Sequence, residues 1–200
     1  MSNSAESLGL YLSRDFLDAR ECEALMEEVR AASGGPATIY RPGAQSPVDE
    51  RLRRTTRHVL SEETTERVRR MLLRRMDEVA AHFRIELHDC EAPQFLRYGE
   101  GDFFVAHQDG NTEQLQYDHL RVRRVSVVVF LNGQGEGPEP GSFGGGSLVF
   151  YEPHVDPERK ELGLPVAAEP GLLVAFRAET THEVRPVTHG QRFTIVCWYR

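Results

Sequence analysis

Lysine is almost missing from this 200-residue chain: Lys160 is alone, and arginine carries nearly all the positive charge. No apolar run reaches the roughly 20 residues of a membrane-spanning helix, so no membrane partner is expected. Residues 1–10 lack a basic stretch followed by an apolar one, so export by a signal peptide is not expected and the cytoplasm is the default compartment. Cysteine is scarce and odd in number. Cys22, Cys90 and Cys197 are too far apart for a Cys-x-x-Cys metal site or a disulfide framework, and they read as reduced and structural. An excess of basic charge is also lacking. With 31 acidic against 24 basic side chains the net charge is −7, which argues against wholesale binding to a phosphate backbone.

What is present suffices for one domain. Hydrophobic residues make up 40%, enough for a real core in 200 residues, and no linker or internal repeat divides the chain. The expectation is a single domain over 1–200, with a helical support region over 1–91 and a β core over 92–200. Charge is unevenly spread: nine of the arginines fall within residues 51–75 against Glu62, Glu63 and Glu66. Without interleaved aromatics this run reads as a solvated helix face rather than a nucleic-acid site.

In the front third, Asp18 followed by Glu21 resembles a capping box, and Cys22, Leu25, Met26 and Val29 recur at helical spacing before Gly34 and Gly35 end the pattern. Ser61 can cap a second helix, whose Val68, Leu72, Met76, Val79 and Phe83 form an apolar stripe that needs a sheet to cover. From residue 92 onward the pattern changes to eight short β-rich runs, at 93–98, 102–107, 124–131, 147–151, 165–168, 172–176, 182–187 and 191–199. Eight strands without intervening helices predict a two-sheet jelly roll (a double-stranded β-helix) with the N-terminal helices packed on one sheet, a mainly β, α+β architecture. The Gly/Pro-rich connection 132–146 reads as a mobile lid or a tolerated insertion.

The chemistry concentrates in residues 94–109. His107 and Asp109 stand two apart at the end of a strand and so project from one face. Alone, such a triplet is common and weak. His182, at the start of a late strand, supplies a second imidazole. Two histidines and a carboxylate on a β scaffold match the open-sided triad of non-haem Fe(II) oxygenases, whereas a structural zinc site would close its shell, typically with thiolates. Arg192 and Thr194 alternate on one strand and offer a guanidinium fork and a hydroxyl to a carboxylate.

These segments, RYGEGDFFVAHQD (97–109), FGGGSLVFYEP (143–153) and THEVRPVTHGQRFTIVCWYR (181–200), resemble the core motifs of the 2-oxoglutarate and Fe(II)-dependent dioxygenases of the prolyl hydroxylase type. FLDAREC (16–22) resembles that family's entry helix more loosely. The resemblance implies His107, Asp109 and His182 as iron ligands and catalytic centre. It makes Arg192 the partner of the distal carboxylate of 2-oxoglutarate, Tyr98 a hydrogen-bonding residue for the same cosubstrate, and Trp198 a residue lining the substrate side. Fe(II) would be the cofactor, 2-oxoglutarate and O2 the cosubstrates, and ascorbate a candidate reductant. The implied reaction couples oxidative decarboxylation of 2-oxoglutarate to hydroxylation of a C–H bond, with no side-chain general base. Two departures bear on the substrate: His189 stands where many relatives carry arginine, and Gly-Gly-Gly-Ser-Leu replaces the commoner Gly-Gly-Glu-Leu.

The leading expectation is hydroxylation of a prolyl residue in a protein or peptide, with the loops 110–123 and 132–146 available to close over an extended chain. Of the other histidines, only His119 lies in a loop placed to overhang the site. A free amino acid or small metabolite is the alternative substrate. Oxidative dealkylation of nucleic-acid bases is disfavoured, because relatives with that activity carry a second arginine where this chain has Trp198. A jelly roll that binds metal without turnover is the remaining reading, and no motif specifies an oligomeric state.

Overall fold

In the computed structural model the described residues are 9–39, 48–110, 120, 122–137, 141–151 and 163–200. His119, His154, Lys160, residues 1–8, most of the 110–123 loop, positions 138–140 and the end of the second motif (152–153) lie outside them.

Helix α1 (Ala19–Ala31) begins where Asp18 accepts the amide of Glu21 while the Glu21 carboxylate accepts the amide of Asp18. This reciprocal box satisfies two amides that no helical turn can reach. Helix α2 (Glu62–Phe83) is capped by Ser61, whose Oγ accepts the Thr64 amide at 3.1 Å. The predicted apolar positions are the buried ones: Cys22, Leu25, Met26 and Val29 on α1, and Val68, Leu72, Val79 and Phe83 on α2, with Met76 partly buried.

The strands, in chain order, are β1 (Tyr11–Ser13), β2 (Gly34–Pro36), β3 (Arg53–Arg54), β4 (Thr56–His58), β5 (Gln94–Tyr98), β6 (Phe103–His107), β7 (Val125–Phe130), β8 (Phe143–Gly145), β9 (Leu148–Phe150), β10 (Leu164–Val166), β11 (Leu173–Arg177), β12 (His182–Val184), β13 (Val187–Gly190) and β14 (Arg192–Tyr199). They form a seven-stranded sheet, β1-β11-β7-β14-β5-β4-β2, facing a five-stranded one, β10-β9-β12-β6-β3, with β13 and β8 paired separately. This is the expected jelly roll, and its sheets are not closed into a barrel. All eight expected runs contain strand, but the run 182–187 is two strands separated at Arg185 and Pro186. The front region, expected to be helical, also supplies β1 to β4.

Alternation along two strands organises the core. On β7, Val125, Val127 and Val129 face the helices, while Val128 and Phe130 face the opposite sheet. On β14, Phe193, Ile195, Cys197 and Tyr199 face the helices, and Arg192, Thr194, Val196 and Trp198 line the space between the sheets. A strand buried on both sides reads as a continuous apolar run, as 125–130 does apart from Ser126. The Tyr199 hydroxyl donates to the Leu72 carbonyl at 2.7 Å, which ties the end of β14 to the middle of α2.

The described residues of the connection 132–146 are bound to the fold at its stems. Asn132 Nδ2 donates to the carbonyls of Gly141 and Gln191, and the Gln134 amide donates to the carbonyl of Ala168. His189 reaches the Gly137 carbonyl at 3.0 Å from Nε2. None of its described residues lines the cavity between the sheets.

Four of the nine arginines of the run form ion pairs with acids beyond it: Arg51 pairs with Asp49, Arg67 with Glu28, Arg69 with Asp89 and Arg75 with Glu78. Arg53 and Arg57 of the same run instead line the cavity between the sheets.

Truncating Leu72, fully buried under the major sheet, tests the helical layer. Leu72→Ala is expected to lower unfolding free energy by about 2–5 kcal/mol, read as an earlier urea midpoint.

Candidate active site

Strands β6 and β12 are neighbours, and His107 and His182 are directly paired across them. Asp109 follows two residues later. Its amide and that of Gly110 both donate to the Ala178 carbonyl, which locks the end of β6 to the β11–β12 connection. His107 Nε2 lies 3.5 Å from Asp109 Oδ1, and His182 Nε2 lies 3.6 Å from Oδ2. One donor atom from each residue falls within 4.8 Å of the others, close enough for a single ion.

The tautomers suit that role. Nδ1 of His107 faces the Val105 carbonyl at 2.8 Å, and Nδ1 of His182 faces the Thr180 carbonyl at 2.9 Å. Each Nδ1 must carry the proton to donate, which leaves the Nε2 lone pairs for a metal. Asp109 is oriented by Ser126, whose hydroxyl donates to Oδ2 at 2.7 Å.

Burial sets the protonation states. Desolvation, with the His107 charge adding to it, pulls His182 from its ordinary 6.5 down to about 4, so the ring is neutral at physiological pH. For Asp109 burial acts upward, but His182, His107 and Ser126 together hold the carboxyl well below the usual carboxylate range. A neutral imidazole at His182 and an ionised carboxylate at Asp109 are states that suit a divalent cation.

On the other side of the cavity Arg192 is almost fully buried, at 1% exposure. Its guanidinium lies 5.0 Å from the ring centroids of both Tyr98 and Phe130, and Nη1 donates to Thr194 Oγ1 at 3.4 Å. Nε has no acceptor, and no carboxylate pairs with the group among the described residues. Burial draws it from 12.5 down to about 10, with Tyr98 acting the other way, so it stays charged. A buried cation without a counter-ion is costly, and the arrangement calls for an anionic ligand.

All seven expected site residues meet in one cavity of about 510 Å³: His107, Asp109 and His182 on one wall, Tyr98, Arg192, Thr194 and Trp198 on the other. Trp198 is buried, its indole N–H lacks an acceptor, and Arg123 stacks over its ring at 3.7 Å while gripping Glu91 through two 2.8 Å bonds. Sequence reasoning missed Ser126, Arg123, Arg53 and Arg57, which also belong to the site or its walls. For Ser126 a signal existed, the one polar residue in a buried apolar run.

One of the two departures, His189, packs closely against the strand that precedes the other. His189 pairs with Gly144 between β13 and β8, and its ring occupies the place of a side chain there: a Cβ on Gly144 would sit 2.0 Å from His189 Cε1.

Comparison with known proteins now bears on this geometry. Residues 93–200 match the family model of the 2OG-Fe(II) oxygenase superfamily. A PKHD-type hydroxylase of Paracoccus denitrificans is 35% identical over 107 residues, covering 53% of this chain and 41% of that protein. One from Janthinobacterium is 31% identical over the same length and 42% of its own. The chain thus spans about two fifths of these curated relatives. Among solved structures, a Pseudomonas putida prolyl-4-hydroxylase superposes with TM-score 0.70 at 23% identity, covering 99% of this chain and 95% of that one. A Trichoplax adhaerens prolyl hydroxylase, solved with a hypoxia inducible factor peptide fragment, gives 0.70 at 17% identity, covering 98% and 86%. These likenesses show the jelly-roll fold, including the front region that the family model does not reach.

Two outcomes follow from the geometry. Ser126→Ala should weaken Mn(II) binding by about 10–100-fold in a calorimetric titration, because Asp109 loses its orienting donor. In the metal-free protein His182 has a lower pKa folded than unfolded, so between pH 6.5 and about 4 the unfolded chain binds more protons. Stability should therefore fall on acidification through that window, by up to about 1.4 kcal/mol per pH unit, and His182→Gln should flatten the dependence.

Proposed function

The chain belongs to the 2OG-Fe(II) oxygenase superfamily, and from that we propose that it couples oxidative decarboxylation of 2-oxoglutarate to hydroxylation of a C–H bond, that of a prolyl residue in a protein or peptide. The observation that carries the reading is the orphaned, buried guanidinium of Arg192 in the same cavity as a histidine–carboxylate triad. A metal-binding jelly roll without turnover has no use for a second, anion-seeking site beside the first. The prolyl specificity is supported by relatives described as PKHD-type hydroxylases and by structural neighbours described as prolyl hydroxylases.

In this reading His107, Asp109 and His182 hold Fe(II). The metal, with 2-oxoglutarate and O2, supplies the oxidising chemistry that no side chain possesses. The protein's own residues bind, orient and exclude. Arg192 takes the far carboxylate of 2-oxoglutarate, with Thr194 and Tyr98 beside it as further hydrogen-bonding groups. Leu96, Val128, Leu148 and Val184 line the cavity and keep its wall apolar, which limits water beside the reacting centre. Trp198 lines the substrate side with its N–H unused. Nothing in this scheme needs a side-chain base, and the only carboxylate among the described lining residues is the metal ligand Asp109.

Residues 1–200 act in this proposal as one catalytic domain. The cytoplasm is the compartment we favour, since Cys22, Cys90 and Cys197 are buried and unbridged. No helix among the described residues is long and apolar enough to cross a membrane. Ascorbate as a reductant belongs to the same proposal and is tested by adding it to the turnover assay.

Anaerobic addition of Fe(II) and 2-oxoglutarate to the metal-free protein should produce a visible metal-to-ligand charge-transfer band, absent in His107→Ala; no band in the wild type would sink the reading. Arg192→Met separates the roles. Lacking a buried unpaired charge, the variant should unfold with about 1–4 kcal/mol more stability than wild type when unliganded, yet gain nothing from 2-oxoglutarate, which should raise the melting temperature of the wild type.

A further inference from the structure

The cavity has an unassigned positive end. Its described lining includes four arginines, Arg53, Arg57, Arg123 and Arg192, against one carboxylate, Asp109. Arg123 is neutralised by Glu91, and Arg192 is accounted for above. Arg53 and Arg57 pair with no carboxylate among the described residues, whereas Arg51, Arg67, Arg69 and Arg75 of the same run do. In a chain of net charge −7, such a local excess is not a reflection of overall composition.

The two side chains are placed by the fold. Arg53 on β3 pairs with Phe104 of the five-stranded sheet, and Arg57 on β4 pairs with Leu96 of the seven-stranded sheet. Only Thr55 separates the two strands, so one short segment crosses between the layers and presents a cation from each. Arg53 is held: Nη1 donates to the Thr38 carbonyl at 3.1 Å, and its guanidinium lies 4.7 Å from the Phe104 ring centroid. Phe104 in turn stacks on His107 at 3.5 Å. A chain of contacts thus runs from Arg53 to a metal-binding histidine. Arg53 Nε is buried and has no acceptor, so ordinary solvation does not explain the group. Arg57 is exposed and Arg192 buried, which places the two anion-seeking ends at different depths of one cavity.

We propose that Arg53 and Arg57 form a second anion site, at the outer end of the cavity, which selects substrates carrying a carboxylate next to the residue to be oxidised. The proposal rests on the oxygenase reading for what happens to the substrate, but not for its binding. The carboxylate can be an Asp or Glu side chain flanking the proline or the α-carboxylate of a chain end or free amino acid; the chemistry at the arginines is the same. Charge-assisted hydrogen bonds from a guanidinium, shared with the stacked Phe104 face, supply the discrimination.

Trp198, the only tryptophan, lines the cavity and reports occupancy by its fluorescence. With Mn(II) and 2-oxoglutarate bound, the probes are end-blocked peptides in which a single proline is flanked by Glu, by Gln or by Lys. A further Gln peptide ends in a free carboxylate at the proline. The Glu peptide, the free-carboxylate peptide or both should bind at least about tenfold more tightly than the blocked Gln peptide, the effect of one charge-assisted hydrogen bond. Which of them does so identifies the source of the carboxylate. In Arg53→Gln/Arg57→Gln the preference should vanish, and in Arg57→Glu it should turn toward the Lys peptide. These are ratios within one preparation, so partial loss of fold does not imitate them. Equal affinities in the wild type, including no detectable binding of any probe, overturn the proposal, as does a preference that survives the double substitution. Oxygen gain with Fe(II) and air is measured separately. Preferential binding without oxygen gain counts against prolyl hydroxylation while the anion site stands; turnover without preference does the reverse.

Discussion

Successive side chains of a strand must point to opposite faces, and β14 uses that constraint to make core and site from one segment. Its odd-numbered residues, Phe193 to Tyr199, are the floor on which the helices rest; its even-numbered residues, Arg192 to Trp198, are a wall of the cavity. The alternation of β7 repeats the arrangement, with Val125 and Val127 under the helices and Ser126 between them holding Asp109. Functional side chains therefore inherit the rigidity of packed strands rather than depending on loops. A one-residue slip of β14 would exchange the two faces completely, so the helical layer fixes the register of the site as well as its own packing.

The electrostatics are those of a place prepared for charges it does not supply. Asp109 is kept ionised in a buried setting, both imidazoles present bare nitrogens, and Arg192 is desolvated without a counter-ion. The desolvation of Arg192 costs stability in isolation, and the site suits ligands of opposite character: a cation for the triad, a carboxylate for the guanidinium. The neutral and apolar residues around them raise both the cost and the strength of the eventual contacts, because a low local dielectric magnifies each.

Much of this was legible in the sequence, and for identifiable reasons. The caps at Asp18 and Ser61 and the stripes behind them depend on local geometry, and they fell where spacing placed them. The triad, Arg192 and Trp198 were found because they lie in compact motifs on strong strands. The misses were non-local. Segments such as Gly34–Pro36 and Arg53–Arg54 have little intrinsic β preference and become strands by pairing with β4 and β6. Arg53 and Arg57 stand about fifty residues before the triad, in a run that also supplies the ion pairs of Arg51, Arg67, Arg69 and Arg75, and only the topology separates them from those neighbours. The connection 132–146 read as a lid or an insertion because glycine and proline are abundant there, whereas a backbone bond to Ala168 and side-chain bonds from Asn132 to Gln191 and from His189 to Gly137 hold its stems.

The contact between His189 and Gly144 has an evolutionary consequence. His189 departs from the more familiar pattern, and its imidazole fills the space that a side chain at position 144 would need. Neither can change freely while the other stays. A side chain at 144 would require residue 189 to shrink or turn away, with loss of the tether to Gly137. The two positions are therefore free to vary only together.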